Sequence, residues 1–424
     1  MTDKSSNLFF KMLAVLVAIM SFNAPAGFTQ SGVKEIGLQE IFLTDPIYNF
    51  EPTSKINNPV GAAALDKDIN KKLDKLRKYV NEVLKDSKVP GLAMGIIKDG
   101  KVIFAEGFGY RDLEQKLPVT SQTLFAIGSC TKAVTTMAIG MLAEQGKVDW
   151  DKPVRNYLPA FELKNEYITA NMTVRDLVTH RSGLPRHDGL WYGSPLTRKE
   201  LFDRLKYLDF SAGFREKYQY NNLMFMTAGY LVGQVTISTW EEFIAERIFK
   251  PLGMTNSNFS VEASQQAADF AQPYRIKDEK VENIPFRNID EIGPAGSINS
   301  CVDDMLKWIQ FHLDKGKVGE KQLVAEAEMR NMHTPYMHLS SPMESNERSH
   351  SNYGLGWVIA MYRGHKLVQH GGGIDGFVTS TSFLPFDNIG VFVVNNAASS
   401  ISSHVTSYDI DLLLGLVPLT GMLR

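Results

Sequence analysis

The hydrophobic pattern of the chain predicts a first helix followed by a hairpin. In DINKKLDKLRKYVNEVLKDSKVPG the apolar positions recur every three or four residues, and the pattern stops at Pro90 and Gly91. These apolar positions are Ile69, Leu73, Leu76, Val80 and Val83. Two β-rich runs follow in LAMGIIKDGKVIFAEGFGYRD, on either side of Asp99 and Gly100. An Asp-Gly pair between such runs favours a tight hairpin turn.

Strand character then disappears from the pattern and returns near the C-terminus. There YGLGWVIAM, HKLVQH, FVTSTSFL and IGVFVVNNA follow one another with short turns between them. Residues 140 to 345 instead carry helical patterns such as TWEEFIAERIF and VDDMLKWIQFHL. Strands at both ends of the chain imply one sheet assembled from distant segments, and their short links make it antiparallel.

The fold class expected from these patterns is α/β. An antiparallel sheet of about five or more strands, built from N- and C-terminal segments, is flanked by helices. A mostly helical lobe of about residues 140–345 is inserted between the two groups of strands, and YDIDLLLGLVPL is expected to pack on the sheet as a closing helix.

The N-terminus has the composition of a secretory signal. Lys4 and Lys11 precede an apolar run from residue 12 to 22, and Ala24 and Ala26 supply an A-x-A step. The run is shorter than the ~20 residues that a spanning helix needs. We therefore expect a signal peptide at 1–26, a polar leader at 27–67 and a single domain at 68–424, placed outside the cytoplasm in a secreted or periplasmic location. An uncleaved N-terminal membrane anchor is the alternative.

Composition narrows the function classes. The chain has 424 residues, 44% of them hydrophobic, and its 45 Lys and Arg nearly balance its 47 Asp and Glu. A net charge of -2 gives no field that would attract nucleic acid or an anionic membrane, so small substrates are expected. The two cysteines, Cys130 and Cys301, do not suggest a disulfide framework, and we expect both thiols to be free and buried.

The stretch LFAIGSCTKAV contains the strongest candidate for a nucleophile. Ser129 follows Gly128 at the start of a helical pattern whose apolar residues mark one buried face. A serine there lies at the positive end of the helix dipole, which favours an alkoxide and an oxyanion. Lys132 comes one turn later, and burial would let its free amine accept the serine proton. The same spacing also occurs in SGVK at Ser31, so spacing alone does not identify the site.

Two further clusters strengthen this candidate. Tyr220 and Asn222 precede a helical pattern in KYQYNNLMFMTAGYLVG, where they can point to the same side as a proton relay and an amide that holds a carbonyl. VQHGGGIDGF places His370 at the end of a strand, before glycines that allow a substrate to approach the backbone. We expect the Gly373 N–H to be the second oxyanion donor beside that of Ser129, with Gly372 in the same stretch.

Taken together and in this order, these motifs resemble the serine β-lactamase and penicillin-binding-protein superfamily, with S-x-x-K, then Y-x-N, then H-x-G. TVRDLVTHRSGLP, IFKPLGMTNS and GPAGSINSCVDDMLKW are also similar to stretches of class C β-lactamases and of related esterases and D-aminopeptidases. The resemblance covers about residues 70 to 415. It implies a β-lactamase/transpeptidase-like fold, with Ser129 as nucleophile, Lys132 and Tyr220 as the proton-transfer pair, and Asn222 and His370 lining the site. His180 is expected to be a buried, hydrogen-bonding histidine.

One departure from the family bears on the substrate. Class C β-lactamases carry a lysine that holds the substrate carboxylate, and this chain has His370, which is largely neutral at pH 7. The sequence therefore favours a serine hydrolase of small esters, amides or peptides that works through an acyl-enzyme. A β-lactamase, a D-alanyl-D-alanine carboxypeptidase and a non-catalytic ligand-binding member of the same fold remain the alternatives.

Other chemistries fit the sequence poorly. HGGG at 370–373 matches the oxyanion loop of α/β-hydrolases, but the G-x-S-x-G that such enzymes need is missing. No H-E-x-x-H occurs, and His333 and His338 are expected in a polar loop rather than at a metal. We therefore expect no metal and no cofactor. The sequence does not predict the oligomeric state.

Overall fold

The computed structural model describes residues 67–339 and 347–419, and all structural statements below refer to them. The predicted signal peptide lies outside these residues, as does the predicted leader up to residue 66. Within the two described ranges, no helix is long and apolar enough to cross a membrane.

Most helices lie between the first hairpin and the C-terminal strands. The α-helices are α1 (Lys67–Ser87), α2 (Thr131–Glu144), α3 (Glu166–Asn171), α4 (Val174–Leu177), α5 (Arg198–Asp203), α6 (Asn222–Thr236), α7 (Trp240–Ile244), α8 (Lys250–Leu252), α9 (Val261–Gln266), α10 (Val302–Leu313), α11 (Glu326–Met332) and α12 (Ile401–Leu414). Short 3₁₀ helices are formed by Gly128–Cys130, Val154–Asn156, Asp188–Leu190, Leu205–Tyr207 and Asp290–Ala295, and Ala245–Phe249 is a π-helical turn between α7 and α8.

The strands form one large sheet and three small pairs. They are β1 (Gly91–Lys98), β2 (Lys101–Asp112), β3 (Leu117–Pro118), β4 (Phe125–Ala126), β5 (Tyr274–Lys277), β6 (Lys280–Asn283), β7 (Asn299–Ser300), β8 (Lys317–Val318), β9 (Lys321–Gln322), β10 (Met337–His338), β11 (Arg348–Tyr353), β12 (Val358–Tyr362), β13 (His365–Ile374), β14 (Phe377–Leu384) and β15 (Ile389–Asn395). The nine-stranded sheet has the order β10-β11-β12-β13-β14-β15-β1-β2-β3, and β4-β7, β5-β6 and β8-β9 pair separately.

The large sheet joins the two ends of the domain. β1 lies between β2 and β15 and is antiparallel to both, so that Leu92 pairs with Asn395 and Lys98 with Ile389. The β1–β2 hairpin turns at Asp99 and Gly100, and Gly100 has a φ of +73°. The predicted antiparallel sheet built from distant segments is confirmed, and so is the predicted hairpin.

Each face of the sheet is covered by its own hydrophobic core. Successive residues of a strand point to opposite faces, and β1 accordingly places Ala93 and Ile97 in the core shared with the helical lobe. Leu92 and Ile96 lie in the second core, which α1 and α12 cover. On the lobe side α10 packs so closely that a Cβ on Gly95 would lie 2.6 Å from Val302. The lobe is thereby held against the sheet.

Two features differ from the sequence-based expectation. α12 begins at Ile401 rather than Tyr408, because Ile401 and Val405, one helical turn apart, are both buried against the sheet. The helical lobe also contains the β5–β6 and β8–β9 hairpins, which the sequence analysis does not predict. Both pairs are short and largely exposed, so they lack the hydrophobic run by which strands are recognised.

Candidate active site

Ser129 lies in a tight turn that leads into a buried helix. The 3₁₀ helix Gly128–Cys130 is followed directly by α2. Gly128 has a φ of +52°, and a Cβ at this position would lie 2.8 Å from the Gly373 nitrogen. A glycine is therefore required for the turn to approach β13 so closely.

The helix that follows differs from its predicted form. The apolar spacing in this segment predicts a helix with one buried face. In the structure nearly every residue of α2 is buried, including its threonines. α2 packs against α6, α7, α11 and the 3₁₀ helix Asp290–Ala295. A helix enclosed in this way has no solvent-facing side, and Lys132 is carried into the protein interior with it.

The Lys132 amine has three hydrogen-bond partners. Its Nζ lies 3.0 Å from Ser129 Oγ, 2.8 Å from Asn222 Oδ1 and 2.7 Å from the carbonyl oxygen of Ala295. The amide and the carbonyl oxygens can only accept, whereas the serine hydroxyl can also donate. A neutral amine thus satisfies all three contacts by donating to the two oxygens and accepting from the hydroxyl of Ser129.

The electrostatic surroundings favour this neutral form. Burial lowers the pKa of Lys132 well below 10.5, and the nearby Arg186 lowers it further. Asp188 opposes this shift in pKa by a smaller amount. Because a free amine is a base and an ammonium ion is not, the surroundings prepare Lys132 to take a proton.

Tyr220 approaches the same serine oxygen from another side. Its hydroxyl donates a hydrogen bond of 2.7 Å to Ser129 Oγ. Burial raises the pKa of Tyr220 above its ordinary value of 10.0, so that the phenol keeps its proton at neutral pH. Two basic side chains lie near the Tyr220 ring. Lys132 Nζ is 4.7 Å and the Arg186 guanidinium is 4.8 Å from the ring centre. Tyr220 is thus placed as a proton donor and relay rather than as a ready-made base.

The residues between Tyr220 and α6 fix this geometry. Asn221 is the N-cap of α6, and its side chain accepts from the Met224 N–H at 3.0 Å. Its own N–H donates to Nδ1 of His180 at 3.0 Å. His180 is buried, and its ring centre lies 4.2 Å from that of Tyr220. The expectation of a buried, hydrogen-bonding His180 is confirmed.

Asn222 is oriented by a residue that the sequence analysis did not identify. Its Nδ2 donates to Asp188 Oδ1 at 3.1 Å, which leaves Oδ1 of the amide facing Lys132. Asp188 Oδ1 also accepts from Trp191 Nε1 at 2.8 Å, and Oδ2 accepts from Arg186 Nε at 2.5 Å. Asp188 therefore holds the amide in the orientation that Lys132 requires.

The glycines after His370 bring two backbone N–H groups to one place. A Cβ on Gly372 would lie 1.9 Å from the Ile127 carbonyl oxygen and 3.1 Å from the Ser129 nitrogen. Gly373 in turn lies against Gly128, and it lines the same pocket as Ser129. The backbone nitrogens of Ser129 and Gly373 therefore lie close together in the lining of the pocket, as the predicted oxyanion hole requires.

The structure places His370 differently from the expectation that its side chain contacts the substrate. The imidazole is 5% exposed and is not among the residues that line the pocket. Its Nδ1 lies 2.6 Å from the Gly371 carbonyl oxygen and its Nε2 lies 2.9 Å from the Tyr353 hydroxyl. Because a carbonyl only accepts, Nδ1 carries the proton and Nε2 accepts from Tyr353. Both ring nitrogens are thus occupied, and burial lowers the pKa of His370 to about 3.

Arg186, Asp188 and Ala295 are the site residues that sequence reasoning missed. Arg186 and Asp188 follow THRSGLP in a polar loop, where no motif or hydrophobic period marks them as site residues. Ala295 takes part through its backbone oxygen, which no side-chain pattern can show.

Neither the two cysteines nor the two histidines considered as metal ligands hydrogen-bond to the Ser129 hydroxyl in the described structure. Cys130 and Cys301 are free and buried, as predicted, and burial raises the pKa of each to about 12. His333 is not in a polar loop, because it follows α11 and its Nε2 lies 3.1 Å from Nδ1 of buried His312. Among the residues that the model describes, no group of three or more His, Cys, Asp or Glu could hold a metal ion.

Comparison with known proteins places this site in a family context. The Beta-lactamase family model matches residues 76–415. An unguisins hydrolase of Aspergillus campestris is 31% identical over 342 residues, covering 77% of this chain and 61% of that protein. Protein Flp of Staphylococcus aureus is 26% identical over 344 residues, covering 79% of this chain and 64% of Flp. The chain thus spans about three fifths of the length of these curated relatives.

Solved structures show the same fold. An octameric penicillin-binding protein homologue from Pyrococcus abyssi superposes with a TM-score of 0.73 at 30% identity, covering 82% of this chain and 78% of that one. FmtA from Staphylococcus aureus superposes with a TM-score of 0.65 at 21% identity, covering 82% and 90% of the two chains. The large antiparallel sheet with flanking helices is common to these neighbours.

Proposed function

The chain belongs to the beta-lactamase family, and from that premise we propose that it is a serine hydrolase working through an acyl-enzyme on small neutral esters, amides or peptides. One observation carries the proposal. The Ser129 hydroxyl lies between the Lys132 amine at 3.0 Å and the Tyr220 hydroxyl at 2.7 Å. A binding protein has no need of a serine held between a deprotonated base and a proton donor.

The first half of the reaction forms the acyl-enzyme. Ser129 Oγ attacks the substrate carbonyl carbon as its proton passes to the free amine of Lys132. The carbonyl oxygen becomes an oxyanion that accepts from the N–H groups of Ser129 and Gly373. When the tetrahedral intermediate collapses, Tyr220 gives its proton to the leaving group and regains one from the Lys132 ammonium.

The second half releases the acid. A water molecule attacks the acyl carbonyl, and its proton returns to the same Lys132 and Tyr220 pair. The second oxyanion is held by the same two N–H groups, and its collapse returns a proton to Ser129 Oγ. Asn222 contributes by holding Lys132 Nζ at 2.8 Å throughout.

The preference for neutral substrates rests on the charge of the site. Where class C β-lactamases have a lysine for the substrate carboxylate, this chain has a buried His370 whose pKa is about 3. This position therefore carries no charge at neutral or mildly acidic pH. We further propose, from the signal-like N-terminus, that the protein is exported.

A covalent probe tests the proposed function. Wild-type protein is expected to be labelled by a fluorophosphonate and to hydrolyse short p-nitrophenyl esters faster than nitrocefin. Ser129→Ala should abolish labelling and lower ester turnover by at least ~10³-fold. Ser31→Ala, in the motif of the same spacing, is the matched control and should change nothing. Full labelling of the Ser129→Ala protein at another residue would overturn the assignment.

A further inference from the structure

The cavity that Ser129 lines has a mainly apolar wall. Its volume is about 500 Å³, and Ser129, Asn222 and Gly373 lie among its lining residues. Three separate segments supply the large apolar side chains of the lining. These residues are Trp191, Tyr192, Ile284, Ile289, Ile292, Ile374, Phe377 and Val378.

Each charged residue of the same lining forms an ion pair with a residue of opposite charge. Arg186 and Asp188 pair with each other at 2.5 Å, and Arg275 pairs with Glu282 at 2.6 Å. Asp375 pairs with Arg287 at 2.5 Å. Together these pairs include every charged residue of the described lining, so the pocket offers no unbalanced charge to a ligand. A charged group entering it would lose its hydration without gaining a partner.

A contact between three segments closes the wall of the pocket at Asp375. The Tyr192 hydroxyl donates to Asp375 Oδ1 at 2.5 Å, and Arg287 Nε donates to Oδ2. The Arg287 guanidinium also lies 4.1 Å from the centre of the Tyr192 ring. We call this group of Tyr192, Arg287 and Asp375 the Asp375 clasp. It ties the loop after Asp188 to the β13–β14 turn, and both segments line the cavity.

We propose that this cavity is a subsite for one neutral, apolar group of the substrate, an alkyl or aryl chain next to the scissile carbonyl, and that the Asp375 clasp limits its length. The inference rests on the proposed function in taking Ser129, a lining residue of this cavity, as the reacting residue. An apolar chain gains affinity with each methylene that it buries against the isoleucine wall. The affinity stops rising at the chain length at which the Asp375 clasp blocks further entry of the chain.

The first experiment measures binding without catalysis. Ser129→Ala protein is titrated calorimetrically with neutral acyl p-nitroanilides from acetyl to decanoyl. Affinity is expected to rise about fourfold for each added methylene, the effect of burying one such group, and then to level off. An analogue of equal length ending in a carboxylate should bind more weakly. Affinity that does not depend on chain length, or tighter binding of the carboxylate, would overturn the subsite.

A variant in the wall gives an independent test. Ile284→Asp places a carboxylate in the lining and should abolish the gain with chain length while fluorophosphonate labelling of Ser129 persists. Ile237→Asp is the matched control, because Ile237 is 73% exposed and lies outside the lining. Equal length dependence in Ile284→Asp and in wild type would count against the proposed wall.

The clasp is tested by breaking it. Tyr192→Phe removes the hydrogen bond to Asp375, and Asp375→Asn removes the ion pair with Arg287. Each should raise the ratio of kcat/KM for the dodecanoyl ester to that for the butanoyl ester by roughly 15-fold, the equivalent of two buried methylenes. Asp151→Asn breaks the ion pair of Asp151 with Arg175, away from the cavity, and should leave the ratio unchanged. An unchanged ratio in both clasp variants would show that the clasp does not limit chain length.

The two proposals fail in different ways. Wild-type protein that is not labelled at Ser129, together with length-dependent binding by the Ser129→Ala protein, would refute the hydrolase and retain the subsite. Labelling at Ser129 without any length dependence would refute the subsite and retain the hydrolase.

Discussion

Two polar clusters of this protein each contain a buried basic side chain, Lys132 in one and His312 in the other, and they differ in how these side chains are partnered. At the candidate active site, Lys132 has three hydrogen-bond partners, and Tyr220 and Asn222 are partnered as well. Further inside, His312 Nδ1 lies 3.1 Å from His333 Nε2. His312 Nε2, however, has no hydrogen-bond partner in the described structure. Trp308, Trp357 and Phe383 surround this histidine pair with aromatic rings.

The comparison separates two consequences of burial. Burial lowers the pKa of Lys132 and of His312 well below their ordinary values. Lys132 is buried too, but its amine is within hydrogen-bond distance of Ser129, a partly exposed residue of the cavity lining. The histidine pair faces aromatic rings, and neither histidine is among the described residues that line the cavity. At Lys132 the lowered pKa provides the free amine that the proposed chemistry of Ser129 needs. At the histidine pair the lowered pKa makes only the stability of the fold sensitive to pH.

The largest expected effect concerns the active-site cluster. Lys132→Met and Tyr220→Phe should each lower kcat/KM by at least ~10³-fold, because each removes a partner in the same proton transfer. The free energy of unfolding should change by no more than about 2 kcal/mol, since the removed burial cost and the lost partners of Lys132 oppose each other. Ester hydrolysis and urea denaturation of the same samples measure both quantities.

The double variant sharpens this result. Residues that act as one unit are not additive, so the combined variant should be scarcely worse than the weaker single variant. Losses that multiply would mean that Lys132 and Tyr220 act in separate steps.

The next effect concerns the histidine pair, where stability should change and activity should not. Burial lowers the pKa of His333 to about 3, and that of His312 also lies well below 6.5. Below pH 6.5 the unfolded chain therefore binds protons that the folded protein excludes. Stability from this source is complete above pH 6.5 and is lost as the pH falls toward 3, by roughly 2 kcal/mol for His333 at pH 5, and His312 adds to the loss in the same direction.

His312→Phe tests this contribution. The variant should lose less stability than wild type between pH 7 and pH 5, as measured by urea denaturation, and should keep its esterase activity at pH 7. His338→Phe is the control, since His338 is exposed on β10. A pH dependence of stability identical to that of wild type would show that His312 is not an acid-sensitive group.

The smallest effect concerns the contact that orients Asn222. Asp188→Asn keeps an oxygen for Asn222 and Trp191 but removes a negative charge that raises the pKa of Lys132. The pKa of Lys132 should fall, so the free amine persists at lower pH. The acidic limb of the kcat/KM profile should then move to lower pH by about half a unit to one unit.

Asp151→Asn provides the control for the loss of one acidic charge elsewhere, and its profile should match that of wild type. Movement of the Asp188→Asn limb to higher pH would contradict the proposed influence of Asp188 on Lys132.

Local sequence patterns were enough to predict most of the architecture. The Asp99-Gly100 turn, the period of α1 and the short links between the C-terminal strands each specify a local conformation. The order of S-x-x-K, Y-x-N and H-x-G then pointed to Ser129, Lys132, Tyr220 and Asn222, which the structure brings together around one hydroxyl group. The positions could be predicted because the information lies in neighbouring residues or in a recurring motif, and the catalytic roles of the four residues stay predictions.

The environment of each side chain was decided by tertiary structure alone. His370 occupies the predicted position in the chain, yet the Tyr353 hydroxyl and the Gly371 carbonyl take both of its nitrogens, which no spacing within VQHGGG reveals. α2 is enclosed on all sides because distant helices pack around it, and Asp188 and the carbonyl of Ala295 reach Asn222 and Lys132 only after folding. The sequence by itself determined which groups are present and which elements carry them. Burial, partners and pKa depend on contacts between segments far apart in the chain, and those contacts exist only in the folded protein.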